Sequence, residues 1–270
     1  MKEMNPLKPK KSLGQNFLRD TRIISEILRV AHVQAGDRVL EIGPGDGALT
    51  APLLMAGANV KAIEFDAELV ERLGIRFQES DNLSLLEGNI LELDLGRYLA
   101  EAQFEAGKYK VVANIPYYIT APIIRLLLSL SIQPERIVLM VQDEVAERLA
   151  ARPGKMSIIS VMAQYYSTVT KEVFVPKTAF FPMPKVDSSV VQLVPNRRFS
   201  PEDDRRIFRV VRAGFAARRK VLVNNLSSSF QVPKEAVEAK LIDMGLSQKV
   251  RAQELQVEDW EALADFFAKK

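Results

Sequence analysis

Asn114-Ile115-Pro116-Tyr117 follows the short apolar run Val111-Val112-Ala113, about seventy residues after a glycine-rich turn, Glu41-Ile42-Gly43-Pro44-Gly45-Asp46-Gly47. An amide, a proline and an aromatic at the end of a buried strand can hold a planar amine. The side-chain carbonyl of Asn114 and a main-chain carbonyl at Ile115 or Pro116 accept hydrogen bonds from an NH2 group, while Tyr117 stacks on the ring that carries it. An amine gripped this way has its lone pair turned toward a neighbouring electrophile. Alone, the tetrapeptide reads more readily as a turn, since Asn and Pro are ordinary turn residues. The glycine turn upstream is what makes it a candidate site.

Gly43, Gly45 and Gly47 come directly after a strand pattern and before a helical one, where glycine lets backbone approach a ligand closely and take positive φ. Gly43-x-Gly45-x-x-Ala48 also satisfies the dinucleotide fingerprint, with Glu64 at the distance of a ribose-binding acid, so the glycines alone leave NAD and S-adenosylmethionine (SAM) both open. Glu41 before the turn and the third glycine at 47 favour SAM. The turn carries Asp46 and no basic residue for a phosphate, and an acidic surround suits the sulfonium of SAM. The amine-holding tetrapeptide has no role in hydride transfer. With a SAM methyl donor the expected chemistry is N-methylation of a base. Glu64 ends the second strand and would accept from both ribose hydroxyls. Asn89, after Leu85-Leu86-Glu87-Gly88, is placed to reach the cofactor's adenine.

Composition narrows the choices. The 270 residues contain no cysteine, which excludes disulfides, thiolate-bound metal and a thiol nucleophile. Methylation at pyrimidine carbon 5 usually needs such a nucleophile; methylation of an amine does not. His32 is the single histidine and lies in an early helical pattern, a poor basis for a Ser-His-Asp triad. The basic N-terminus has no apolar signal core behind it, and no run approaches the roughly 18 apolar residues of a membrane span. A cytoplasmic, monomeric protein without metal is expected. Residues 196–270 carry 15 Lys/Arg against 11 Asp/Glu, and seven basic residues fall between Arg205 and Lys220 without one acid. A basic face of this kind points to a polyanion.

The elements that must position these residues alternate. Strand patterns at 38–41, 60–63, 83–86, 111–113 and 137–141 are separated by helical ones near 49–56, 67–79, 121–130 and 144–149, which predicts a doubly wound sheet. Two further strands, 168–173 and 189–194, flank a proline-rich loop. Pro195 to Pro201 reads as a linker. Helical patterns then follow at 203–217, 219–229, 233–244 and 257–268. The expected domains are 1–195 and 196–270.

Lys11-Ser12-Leu13-Gly14-Gln15-Asn16-Phe17-Leu18, Glu41-Ile42-Gly43-Pro44-Gly45, Asn114-Ile115-Pro116-Tyr117 and Phe180-Phe181-Pro182-Met183-Pro184-Lys185-Val186-Asp187-Ser188, in this order, resemble the motifs of the ribosomal RNA adenine dimethyltransferases. The resemblance covers nearly the whole chain. It is nearer the branch that dimethylates two adjacent adenosines close to the 3′ end of 16S rRNA in the small subunit than the 23S branch of macrolide resistance. It implies a seven-stranded SAM-dependent methyltransferase sheet followed by a small all-α rRNA-binding domain, and a role in small-subunit maturation. A mainly non-catalytic assembly factor is the rival it leaves. By motif, residues 1–20 would close over the cofactor through Asn16 and Leu18, Gly43 and Gly45 would lie beneath its methionine part, and Glu64 would bind ribose. Asn114 would serve both cofactor and target amine, and Phe180 would stack on the target adenine opposite Tyr117. The family commonly has Asp where this chain has Asn89, an amide that can accept from adenine but lacks the charge. Arg205, Arg206, Arg209, Arg212, Arg218, Arg219 and Lys220 are the expected rRNA contacts.

Overall fold

A computed structural model of the protein describes residues 9–10, 13–196, 200–217 and 219–268. Arg218 and half of the expected N-terminal cover, residues 1–8 and 11–12, lie outside the described residues.

The elements run β1 (Phe17–Leu18), α1 (Thr21–Ala31), β2 (Arg38–Ile42), α2 (Thr50–Met55), β3 (Asn59–Glu64), α3 (Ala67–Arg76), β4 (Leu83–Glu87), α4 (Leu95–Glu101), β5 (Tyr109–Asn114), α5 (Thr120–Leu128), β6 (Arg136–Gln142), α6 (Asp143–Leu149), α7 (Ile158–Tyr166), β7 (Ser167–Val175), β8 (Phe180–Phe181), β9 (Ser188–Pro195), α8 (Pro201–Gly214), α9 (Leu222–Phe230), α10 (Lys234–Asp243) and α11 (Val257–Ala268). Seven strands form one sheet in the order β4-β3-β2-β5-β6-β9-β7. The pairings β4/β3, β3/β2, β2/β5 and β5/β6 are parallel, and β6/β9 is antiparallel. Tyr109 to Ala113 and Ile137 to Val141 are unbroken buried runs. Strands covered on both faces require that pattern. The chain builds outward from β2 through β3 to β4, then returns to the other side of β2 to lay down β5 and β6. Strand order therefore reverses between β2 and β5, the place where open α/β sheets bind ligands beyond the carboxyl ends of their strands.

Contacts divide the chain into two units: residues up to 146 with 170–195, and 147–169 with the residues from 196 onward. The expected break at 195/196 is one of the crossings between them, but α7 and its flanks group with the C-terminal helices. The reason is local to that second unit. The Tyr165 ring meets Phe208 edge-on at 5.7 Å, and Gly154 N donates to Gln253 O at 2.8 Å. The core of this unit is aromatic. Trp260 is fully buried and stacks on Phe215 at 5.5 Å. Gly214 is obligatory beside it, because a Cβ there would lie 2.4 Å from the indole.

In the first unit, β1 and β8 form a separate two-stranded ladder that pairs Leu18 with Phe180 and Phe17 with Phe181. Periodicity had not indicated β1, β8, α4 or α7, all short elements.

Candidate active site

The glycine turn leaves β2 and the tetrapeptide leaves β5, so adjacent parallel strands deliver both to one crevice. Gly45 has φ 61° and Gly47 has φ 86°, in the region where L side chains are strained. A Cβ at 45 would come 3.3 Å from the Phe17 ring, and one at 47 would come 2.9 Å from Leu73 Cδ2. Close approach and positive φ thus both demand glycine. Gly43 N donates to Ile63 O at 2.9 Å, tying the turn to β3.

The crevice is a cavity of about 340 Å³, within the range of small-molecule sites. Asn16, Leu18, Gly43, Gly45, Glu64, Asn89, Asn114, Ile115, Pro116, Tyr117 and Phe180 all line it, so every candidate cofactor and base residue converges there.

Glu64 is buried at the end of β3. Its Oε2 accepts from Gly45 N at 3.0 Å and its Oε1 from Asp66 N at 2.9 Å. Burial raises its pKa, and these main-chain donors partly offset that. One carboxylate therefore shapes the turn and faces the cavity.

Glu41 plays a different part from the one expected. It is 1% exposed, lies outside the cavity wall and accepts from Thr50 Oγ1 at 2.8 Å. Burial pushes its pKa up to about 8, against the Thr50 hydrogen bond and with help from the charge of Glu64. At neutral pH it is a protonated support beneath the turn, not an anion facing a sulfonium. Asp46 is likewise engaged, 2.5 Å from Arg19.

Asn114 Nδ2 donates to Asn16 O at 3.4 Å. With the amide nitrogen so placed, Oδ1 is the free arm of the side chain. Pro116 O accepts from Ile119 N at 3.2 Å, which favours Ile115 O as the main-chain acceptor for an amine. Tyr117 OH and Ser188 Oγ are 2.8 Å apart, fixing the half-buried ring by its far end. Burial raises the phenol pKa, and the Ser188 bond partly opposes this. Phe180 is 5% exposed, held by the β1–β8 ladder. Asn89 is turned inward upon its own loop. Its Oδ1 accepts from Leu91 N at 3.1 Å and its Nδ2 donates to Glu92 at 2.8 Å, so neither arm is turned to the cavity without a partner.

Residues not anticipated also shape the site. Phe17 forms a wall against Gly45, with the Arg19 guanidinium 5.6 Å from its ring centre. Asp66 follows Glu64 by two residues and caps α3 by accepting from Glu68 N at 3.1 Å. An Asp directly before the helical pattern, with the acid Glu68 in its first turn, was the signal for it.

The basic residues of the second unit are not equivalent. Arg205, Arg209 and Arg212 are exposed on α8, and Arg219 and Lys220 are exposed beyond it. Arg206 is bound in ion pairs to Asp203 at 3.1 Å and Asp265 at 2.9 Å, and Arg209 lies 4.8 Å over the Phe230 ring. Of the expected set, Arg206 is thus occupied by acids within its own unit. Among the described residues no cluster of His, Cys, Asp or Glu could hold a metal, and no helix is long and apolar enough to cross a membrane.

The fit for SAM rests on the donor set. A carboxylate ends β3, the turn holds Gly43, Gly45 and Gly47 at positive φ, and apolar walls come from Leu18 and Phe17.

The family model of ribosomal RNA adenine dimethylase matches residues 7–269. Ribosomal RNA small subunit methyltransferase A of Lactiplantibacillus plantarum is 41% identical over 96% of this chain and 90% of its own. The protein of the same name from Thermosynechococcus vestitus is 42% identical over 96% and 97%. Among solved structures, a dimethyladenosine transferase from Plasmodium falciparum superposes with TM-score 0.75 at 28% identity, over 94% of this chain and 98% of that one. The 23S rRNA methyltransferase ErmE gives 0.74 at 25%, over 94% and 100%.

Proposed function

Because the chain belongs to the ribosomal RNA adenine dimethylase family, we propose that it transfers methyl groups from SAM to the exocyclic N6 of two adjacent adenosines near the 3′ end of 16S rRNA, as part of small-subunit maturation. One observation carries the chemistry: Asn114-Ile115-Pro116-Tyr117 and the glycine turn line a single cavity at the reversal of strand order. The fold alone is shared almost equally with a 23S enzyme. The whole-length relatives near 40% identity are small-subunit enzymes, and they support the 16S target.

SAM supplies an electrophilic methyl group when bound. Glu64 accepts from its ribose hydroxyls, and the glycine turn leaves room for its methionine part. The adenine amine is a weak nucleophile because its lone pair is conjugated with the ring. Asn114 Oδ1 and Ile115 O accept its two hydrogens and draw the nitrogen toward tetrahedral geometry, which frees that lone pair. The rate comes from alignment, without a strong base. The lost proton passes to water. A base must leave its stack to enter, and Tyr117 and Phe180 replace the lost stacking. Arg205, Arg209, Arg212, Arg219 and Lys220 hold rRNA phosphates, contacts that position without reading sequence. Work on ribosomal RNA implies a cytoplasmic location.

Labelled SAM incubated with small subunits lacking these methyl groups tests the reading. Two dimethylated neighbours in 16S rRNA are the expected product. Label confined to 23S rRNA, or none at all, would overturn it.

A further inference from the structure

The segment that forms the cavity's outer wall has little regular structure to hold it there. Gly14 to Leu18 includes only a two-residue strand, and Gly14 itself has φ 64°. What fixes its upstream end is a set of bonds centred on one buried carboxylate, with Lys10 Nζ also 3.4 Å from Glu68. Asp66 Oδ1 receives Lys10 Nζ at 2.7 Å, and Asp66 Oδ2 receives Gln15 Nε2 at 2.8 Å. Lys10 and Gln15 are also joined to each other, Lys10 N donating to Gln15 Oε1 at 2.7 Å. Asp66 is 6% exposed, and its main-chain N is bonded to Glu64 Oε1 at 2.9 Å. The carboxylate that holds the segment is thus tied to the carboxylate that faces the ribose position.

We propose that Asp66 is a positioning residue for the cofactor, a latch that holds residues 13–18 in the cavity wall through Lys10 and Gln15. The proposal rests on the reading of the cavity as a SAM site. Asp66 makes no contact with the cofactor itself. It acts by keeping Asn16, Phe17 and Leu18 in the wall, and Asn16 O there orients the Asn114 amide. Burial alone would raise its pKa. The Lys10 and Gln15 bonds more than offset that and leave it lowered, so the latch is ionised at neutral pH. Charge-assisted bonds of this kind are short and comparatively strong.

Asp66 also caps α3, and the test must separate the two roles. Asn is as good an N-cap as Asp, so Asp66→Asn keeps the cap while removing the charge that Lys10 and Gln15 bond to. Lys10→Met breaks the latch without touching the cap. SAM binding would be measured by calorimetry, and dissociation by stopped flow, for wild type, both single variants and the double variant, alongside melting without SAM. Each single variant is expected to bind SAM about tenfold more weakly, mainly through faster dissociation. The double variant should be no weaker than the worse single, because both remove one interaction. Single variants within twofold of wild type, or effects that simply add, would overturn the latch. So would a lowered melting temperature with unchanged SAM affinity, which is the signature of a cap alone. Should Asp66→Asn not fold, Lys10→Met carries the same readout. A wild-type protein that binds no SAM at all would instead overturn the site reading, and the latch with it.

Discussion

Glu41→Gln isolates the consequence of burying an acid beneath the glycine turn. Burial holds the Glu41 pKa at about 8, whereas the ordinary value, taken for the unfolded chain, is 4.5. Between those two values the folded state keeps a proton that the unfolded chain has released. Stability therefore falls as pH rises through that window and levels off above pH 8. The gap is about 3.5 pH units, and each is worth about 1.4 kcal/mol, so the full swing is about 5 kcal/mol as an upper bound. Gln is nearly isosteric with the protonated acid and can still accept from Thr50 Oγ1. Its stability relative to wild type should rise by several kcal/mol between pH 5 and pH 9, from a starting point lowered by the unpartnered amide that replaces Glu41 Oε1. Urea unfolding of both proteins, without SAM, at pH 5, 7 and 9 gives the comparison. Only the difference between variant and wild type matters, since every other titrating group is common to both. A difference that stays constant across the three pH values would refute the buried, protonated Glu41.

Asn114→Ala should leave the fold and much of SAM binding intact while cutting turnover by about two orders of magnitude, the scale of removing one preorganised polar group at a reacting centre; single-turnover rates with saturating SAM would show it. Glu64→Ala removes both the ribose acceptor and the Gly45 N partner, so it should weaken SAM binding by about 1.5–3 kcal/mol, with most of kcat recovered at saturation. For Arg219 and Lys220, replacement of both by Ala should reduce the salt slope of subunit binding by about 0.7–0.9 for each phosphate no longer neutralised, with SAM affinity untouched. An unchanged slope would place RNA docking on another face.

The central strands were legible because burial on both faces forces continuous apolar runs, as at Val111-Val112-Ala113 and Ile137 to Val141. The glycine turn was legible because positive φ admits few residue types, and the tetrapeptide because an amide, a proline and an aromatic follow directly on a buried apolar strand. The Asp66 latch was not, since Lys10 and Asp66 are 56 residues apart and meet only in space. Nor could sequence set the charge of Glu41: the same letter reads as an anion until its depth is known. Asn89 shows a similar limit. Its position at a strand end suggested a ligand contact and it does line the cavity, but the local bonds to Leu91 N and Glu92, typical of a short side chain beside free main-chain N–H groups, had no signal in the sequence. The grouping of α7 with the later helices depended on Tyr165 meeting Phe208, a contact with no local signature.

The ladder between β1 and β8 has a consequence for the order in which the protein becomes competent. Leu18 and Phe180 are neighbours across it, yet Phe180 is made more than 160 residues after Leu18. As the chain emerges from its N-terminus, β2 to β6 can assemble while Leu18 still has no strand to pair with. The cavity gains its Phe180 wall, and Tyr117 its Ser188 partner, only when the stretch from β8 to β9 has left the tunnel. A nascent chain halted before that stretch carries the glycine turn and the tetrapeptide intact but presents them in an open-sided groove. SAM can reward folding of this unit only once the stretch through β9 has been made, as a seal on a completed unit and not as a template for a growing one.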